Sequence, residues 1–458
     1  MAEKPVNSDA LYVAQQKIYP REVPGRFRNL RTLATVGLLG IFYGLAWLQW
    51  DGRQAVLFDL PARKFYIFGL VFLPQDFFFL TWLLILAALS LFFFTALAGR
   101  LWCGYACPQT VWTDAFVWME RLTEGNRQQR MKLDKAPWSF NKLWRKSAKQ
   151  ALWVCFSLYT GFTFVGYFTP IHTLLAEIRS FATGPWETFW VLFYGLATYG
   201  NAGHLREQVC KYMCPYARFQ SAMFDKHTLI ISYDAARGEP RGSRARGLDY
   251  KAEGLGDCID CTLCVQACPT GIDIRKGLQY ECIACAACID ACDVVMDKMN
   301  YPRGLVRYST QASLEGNAPH VIRPRTVIYA SLLTLLFGGF LYAVTHRSLL
   351  ELDVLRDRNV MYRETDDGLI ENVYTLRVIN KDSKAHAYTL QIAGVPEAKL
   401  EADGPTVSAG ASEVVTVTVS VIAPAMDKGG PHPINFNLVS SDDPKLKVSS
   451  VSRFFSPL

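Results

Sequence analysis

The chain has seven histidines in 458 residues, and no cysteine before Cys103 or after Cys292. Charge is scarce as well: 19% of residues are Asp, Glu, Lys or Arg, while 50% are hydrophobic. Each shortage excludes something. A haem between membrane helices needs facing histidine pairs, whereas His172, His204 and His346 fall near the ends of apolar stretches, where polar residues gather. A quinone pocket between helices stays open. The C-terminal part cannot hold a disulfide framework, and His386, His432 and Met426 form no clustered ligand set there. The first 31 residues are polar, carry Arg21, Arg26, Arg28 and Arg31, and lack a short apolar core with a cleavage site, so no secretory signal is expected. The net charge of +7 comes without a base-reading motif, so no nucleic-acid partner is expected.

Cysteine, where it does occur, is concentrated. Eight of the thirteen lie in two similar runs, Cys258-x2-Cys261-x2-Cys264-x3-Cys268-Pro269 and Cys282-x2-Cys285-x2-Cys288-x3-Cys292. This spacing wraps two [4Fe–4S] cubanes, the fourth cysteine of each run ligating the other cluster. The rule gives Cys258, Cys261, Cys264 and Cys292 to one cluster and Cys268, Cys282, Cys285 and Cys288 to the other. A disulfide reading needs an oxidising compartment, and zinc sites show separated two-cysteine hooks rather than doubled runs of three. A one-electron relay fits better than either.

Hydrophobicity is concentrated too. A membrane span takes about 20 mostly apolar residues, and five stretches qualify, at about 32–50, 76–98, 151–170, 186–203 and 326–345. The fourth is diluted by Gly195, Thr198, Gly200 and Asn201, which suit close helix packing. Positive charge sets the expected orientation. The loop 99–150 is rich in Arg and Lys, among them Arg100, Arg121, Arg130, Lys142 and Lys149, whereas the opposing loops hold Arg53, Arg63 and Lys64, or Arg179 alone. The expected order is a cytoplasmic arm (1–31), four transmembrane helices within 32–204 with the basic cytoplasmic loop 99–150, a cytoplasmic 2[4Fe–4S] ferredoxin domain (205–324), a fifth transmembrane helix (326–345) and a periplasmic domain (346–458).

That last domain alternates apolar and polar residues over 373–379, 387–392, 413–421 and 434–439, with turn signals at Asn380-Lys381-Asp382, Asp403-Gly404-Pro405, Gly429-Gly430-Pro431 and Asp442-Asp443-Pro444. Short strands at this spacing predict an immunoglobulin-like sandwich, read as a docking or stabilising module. The fold class is therefore mixed: an α-helical membrane protein with five spans, a bacterial-type 2[4Fe–4S] ferredoxin domain and a C-terminal β-sandwich.

Two further cysteine pairs form an internal repeat, Cys103-Gly104-Tyr105-Ala106-Cys107-Pro108 and Cys210-Lys211-Tyr212-Met213-Cys214-Pro215. Both read Cys-x3-Cys-Pro, and each follows an apolar stretch. Thiols at i and i+4 share a helical face, so each pair can pinch a soft metal ion, while the proline disfavours helix at the second cysteine. Thiolates select copper(I), zinc or iron–sulfur clusters, and copper, a third cluster and a dithiol–disulfide couple all remain open for Cys103, Cys107, Cys210 and Cys214. Cys155, alone in the third stretch, reads as packing.

This combination resembles the FixG/RdxA/CcoG family of cytochrome c oxidase accessory proteins over nearly the whole chain. The resemblance rests on five spans, two Cys-x3-Cys-Pro motifs, the double ferredoxin run and the C-terminal sandwich. A related group of quinol dehydrogenases has similar spans and cysteine pairs but lacks the outer domain. One departure is Asp293 after Cys292, where ferredoxin runs usually have proline. The resemblance implies a protein of the bacterial inner membrane that reduces copper(II) to copper(I) for assembly of cbb3-type oxidases. Two [4Fe–4S] clusters are the expected cofactors, and thiolate preference makes Cys103, Cys107, Cys210 and Cys214 the expected place for copper. Implied partners are oxidase assembly factors, copper chaperones and a cytoplasmic electron donor or quinol; a homodimer is compatible. A non-catalytic assembly factor and a quinol-linked electron conduit are the alternative readings.

Overall fold

The computed structural model describes residues 17–247, 249–357, 360–382, 384–402, 404, 406–426 and 428–457. The chain forms two compact units, Met1–Trp47 with Leu84–Phe337, and Leu48–Leu83 with Gly338–Leu458.

Among the described residues, two helices are long and apolar enough to cross a membrane by length and composition, Pro74–Ala98 and Pro324–Thr345, with hydropathies of 2.5 and 2.0. The other three expected stretches are helical as well, as Arg26–Leu45, Phe140–Val165 and Pro185–Thr198. They fall short of that measure through polar ends or, for the last, a length of 14 residues. The first helix also lies earlier than expected: it stops at Leu45, and Gln49–Trp50 pairs instead as a strand with Arg53–Gln54. Small residues draw Phe140–Val165 and Pro185–Thr198 together. A Cβ on Gly161 would lie 2.2 Å from Val191 O and one on Gly195 3.3 Å from Leu158 Cδ2, the close approach that small residues permit.

The basic loop is a built structure. It folds as Pro108–Glu124 and Arg127–Lys135, the second opened by reciprocal Asn126–Gln129 bonds of 3.0 and 2.9 Å. Its charges turn inward. Glu120 and Glu124 are fully buried, with Arg130 and Arg206 on Glu120 at 3.1 and 2.9 Å and Lys149 on Glu124 at 3.1 Å. In the cysteine-rich segment, Ile230–Tyr233 pairs antiparallel with Val306–Ser309 beside the helices Leu263–Ala267 and Ala287–Met299.

The second unit is an antiparallel sandwich. One sheet runs Lys399–Ala402, Val414–Ala423, Ile370–Asn380, Leu350–Arg356, with Arg363–Glu364 also on Ile370–Asn380; the other runs Thr406–Ala409, His386–Ala393, Gly430–Ser440, Lys447–Ser456. Alternation puts Tyr374, Leu376 and Val378 of one sheet and Tyr388, Phe436 and Phe454 of the other into one core. The four expected strands are all present, the flanking ones being shorter or serine-rich. The expected turn at Asp403-Gly404-Pro405 lies partly outside the described residues. Residues 56–72 add three short strands, and Asp76 pairs with buried Lys381 at 2.6 Å.

Candidate functional site

The two four-cysteine runs fold alike. Asp260 and Thr262 flank Cys261 with φ of 54° and 57°, and Ala284 and Ala286 flank Cys285 with φ of 52° and 59°. Left-handed backbone is uncommon outside glycine. Repeated around the middle cysteine of both runs, it bends the chain into a concavity of amide N–H groups, the type of nest that holds anionic iron–sulfur centres. A helix then starts in each run and carries the third cysteine, Cys264 in Leu263–Ala267 and Cys288 in Ala287–Met299.

The runs part at their fourth cysteine. Cys268 is the extended residue that ends the first helix, ahead of Pro269. Cys292 lies inside the second helix, because Asp293 continues it where proline would stop it. The Asp293 carboxylate instead accepts from Gly304 N at 3.0 Å.

Two cavities result. One is lined by Cys258, Cys261, Cys264 and Cys292, the other by Cys268, Cys282, Cys285 and Cys288 with Cys264 also at its wall. Burial pushes the Cys282 and Cys292 thiols up to about 12, and neighbouring cysteines add to the shift. A cationic centre would reverse this, so the donor set suits metal-bound thiolate. The residues present fit two [4Fe–4S] clusters.

The paired motifs also come together. Burial raises Cys103 to about 12, and Cys107, Cys210 and Cys214 act on it electrostatically. Burial likewise raises Cys210 to about 11, with Cys107 and Cys214 reinforcing the shift. The pairs are not on uninterrupted helices, which corrects the i, i+4 picture. Leu101–Tyr105 ends before Cys107, and Val209–Met213 is a π-helical turn that ends before Cys214. Each second cysteine is extended and caps a new helix begun by proline, Pro108–Glu124 or Pro215–Met223. Among the described residues, no three His, Cys, Asp or Glu side chains stand as close as a single metal ion requires. Cys155 is exposed, off the buried face formed by Trp153, Ser157 and Thr160.

The first motif is packed onto the second cavity. A Cβ on Gly104 would lie 2.7 Å from Ile283 O and 2.9 Å from Cys285 Cα, so only glycine fits under that loop. Cys103 joins the apolar cluster of Ile283, Cys285 and Ala287. Buried Arg100 donates to Tyr280 O, to Cys282 O at 3.4 Å and to Ala217 O, tying the cluster loop to the helix after Cys214. Lys211 of the second motif donates to Thr270 O at 2.8 Å, beside Cys268. Asp290, between Cys288 and Cys292, accepts from Arg28 N at 2.8 Å and so caps the helix Arg26–Leu45. Arg100 and Asp290 were hidden in the sequence among other charges. Glycine against lysine at one motif position was the single visible sign of Gly104's role.

Doubled cysteine runs with nests and lined cavities, together with an antiparallel sandwich, define an iron–sulfur protein of the ferredoxin type with an immunoglobulin-like module. Family profiles agree: residues 205–311 match a 4Fe-4S dicluster domain, 78–124 a 4Fe-4S binding domain, and 340–457 the IG-like fold at the C-terminus of FixG. The nitrogen fixation protein FixG of Rhizobium meliloti is 38% identical over 90% of this chain and 86% of its own. RdxB of Cereibacter sphaeroides is 40% identical over 92% of each chain, and RdxA of that organism 39% over 84% of each. The chain belongs to the FixG/RdxA family.

Proposed function

We propose that this protein is a membrane-bound electron-transfer protein that reduces copper(II) to copper(I). In this reading Cys258, Cys261, Cys264 and Cys292 hold one [4Fe–4S] cluster, and Cys268, Cys282, Cys285 and Cys288 the other. Each cluster, when bound, supplies one electron at a time. Five helices cross the bacterial inner membrane, with the clusters on the cytoplasmic side and the sandwich outside. Copper is the substrate: a copper(II) ion received near Cys103, Cys107, Cys210 and Cys214, whose thiolates would have to draw together around it, gains one electron and leaves as copper(I), which prefers such ligands. The resemblance to oxidase accessory proteins makes assembly of a cbb3-type oxidase the destination.

The observation that carries this reading is the wedge of Gly104 under Ile283–Cys285, which sets Cys103 against the wall of the second cavity. Arg100, bonded to both sides, supplies fixed positive charge where an electron and thiolates gather.

The test uses anaerobic full-length protein with both clusters loaded, reduced by dithionite, freed of excess reductant and mixed with copper(II). Copper(I) is trapped by bicinchoninate. Serine at Cys103, Cys107, Cys210 and Cys214 should lower the rate by at least about tenfold with cluster absorbance unchanged. Undiminished reduction would sink the proposal. No reduction by the wild type would favour a non-catalytic assembly factor.

A further inference from the structure

A third cavity is separate from the two lined by the cluster cysteines, and one paired thiol, Cys210, reaches its wall. It has a volume of about 550 Å³ and lies between the helices Arg26–Leu45 and Pro108–Glu124, with Cys210 at one wall and Ala267, Pro269, Ile283 and Ala287 at another. Ala267 and Pro269 flank Cys268, and Ala287 precedes Cys288. Its lining combines apolar Val36, Leu39, Val117 and Phe156 with polar Arg31, Asp114, Gln109 and Thr113. This is the size and make-up of a site for an organic molecule with an apolar body and a polar head.

The charges narrow the class. Glu22 pairs with Arg121 at 2.6 Å and also with Arg28, while Glu120 takes Arg206 at 2.9 Å. With these arginines engaged by carboxylates, the wall suits a neutral head better than a phosphate. The Arg31 Nε is buried with no hydrogen-bond partner among the protein atoms, a donor that a carbonyl or hydroxyl oxygen would satisfy. Glu22 and Glu207 also line the cavity, and Asp114, on the helix Pro108–Glu124, lies within electrostatic reach of Arg31 on Arg26–Leu45. The neighbours of Asp114, Arg31 and Arg121, favour its charge, whereas burial holds its carboxyl above the usual range, so it takes up a proton readily.

We infer that this cavity binds a membrane quinol, with Arg31 on a ring oxygen and Asp114 as the proton acceptor. The inference rests on the proposed electron-transfer role and supplies its electron source. In the reaction both O–H bonds of the quinol break and a quinone leaves. One proton goes to ionised Asp114 and the second to water. The two electrons depart singly, one to each iron–sulfur cluster. A site whose walls are the residues next to Cys268 and Cys288 gives those electrons a short path.

A photoreactive azido-ubiquinone, applied to the full-length protein with clusters loaded in detergent, reports binding without any turnover. Label should map to peptides within 28–39 and 109–121 and be displaced by decylubiquinone. Thr35→Trp and Thr113→Trp, which narrow the cavity from opposite walls, should each cut labelling by at least about tenfold with cluster absorbance retained. Asp114→Asn should keep labelling within about twofold and slow decylubiquinol-driven cluster reduction by at least about tenfold. Label elsewhere, label indifferent to both tryptophans, or label displaced by cardiolipin vesicles but not by decylubiquinone would overturn the inference. Because the copper assay starts from dithionite-reduced protein, a failed entrance and a failed exit are told apart.

Discussion

The two Cys-x3-Cys-Pro motifs share their pattern and differ in their surroundings. Cys103-Gly104-Tyr105 is wedged under the loop Ile283–Cys285, and its tyrosine meets Tyr308, which in turn donates to Ala284 O at 2.7 Å. Cys210-Lys211-Tyr212 stands in π-helical turns with Tyr212 66% and Met213 59% exposed, held to the cluster segment through Lys211. One half is wedged under the cysteine-rich loop; the other is held through Lys211 and keeps Tyr212 and Met213 exposed. Under the proposed function, that difference would divide the repeated motif between wiring and access.

The sharpest way to break the comparison is to exchange the residues at the shared position. Gly104→Val places side-chain atoms within contact of backbone that cannot yield, which costs at least about 1–3 kcal/mol as overpacking. It should also empty the second cavity, so iron per chain should fall to roughly half. Lys211→Val, at the same place in the other motif, should leave iron content unchanged. Equal iron loss in both would show that the halves are not differently anchored.

On stability alone the larger effect is expected at the clamp between the halves. Glu120 lies in the helix after the first motif, and Arg206 stands just ahead of the second. Glu120→Ala leaves Arg206 and Arg130 buried without their carboxylate, a loss of about 3–5 kcal/mol. Burial works to raise the Glu120 carboxyl, yet Arg206, Lys17, Arg130 and Lys149 hold it down to about 2. A depressed folded value means the stabilisation is complete above the ordinary value of 4.5 and disappears as pH falls toward 2. Melting temperature should therefore drop between about pH 5 and about pH 3, and the drop should be shallower in Glu120→Gln.

What could be read in advance follows from how local each signal is. Cysteine spacing is local, and so is strand alternation: the cavity-lining sets and the four central strands lie where the letters place them. At Cys107 and Cys214 two local signals competed, the i, i+4 spacing and the effect of Pro108 and Pro215 on the preceding residue, and the proline won. Each cysteine turns extended and caps a new helix, and the shared-face geometry is lost. Arg130 reads as one charge of the basic loop because its burial depends on Glu120 and on Glu120's partner Arg206, distant in sequence. Gly104 needed the position of Cys285, some 180 residues on, before its lack of a side chain had a meaning. Nothing in the letters announced the cavity beside Asp114, since its walls come from six separate segments.

A smaller effect is expected at Lys211. Lys211→Met keeps the stem and removes a charged donor from Thr270 O, worth about 1.5 kcal/mol. The melting temperature should fall slightly while iron content stays constant. Loss of a cluster would mean that the second motif, too, is part of a cluster's support.

The smallest effects are at the paired tyrosines, and there the comparison bears most directly on function. Tyr105 Oη and Tyr308 Oη are 3.4 Å apart, a weak bond, and Tyr308 keeps its better one to Ala284 O without it. Tyr105→Phe should cost about 0.5 kcal/mol. Tyr212→Phe removes an exposed hydroxyl and should stay within about 0.5 kcal/mol of wild type. Stability then cannot separate the two, but copper(II) reduction can. If the second motif is the approach side, Tyr212→Ala should change the apparent KM for copper(II), whereas Tyr105→Phe should leave KM alone and alter at most the maximal rate. A KM effect confined to Tyr105 would reverse the division of labour between the motifs.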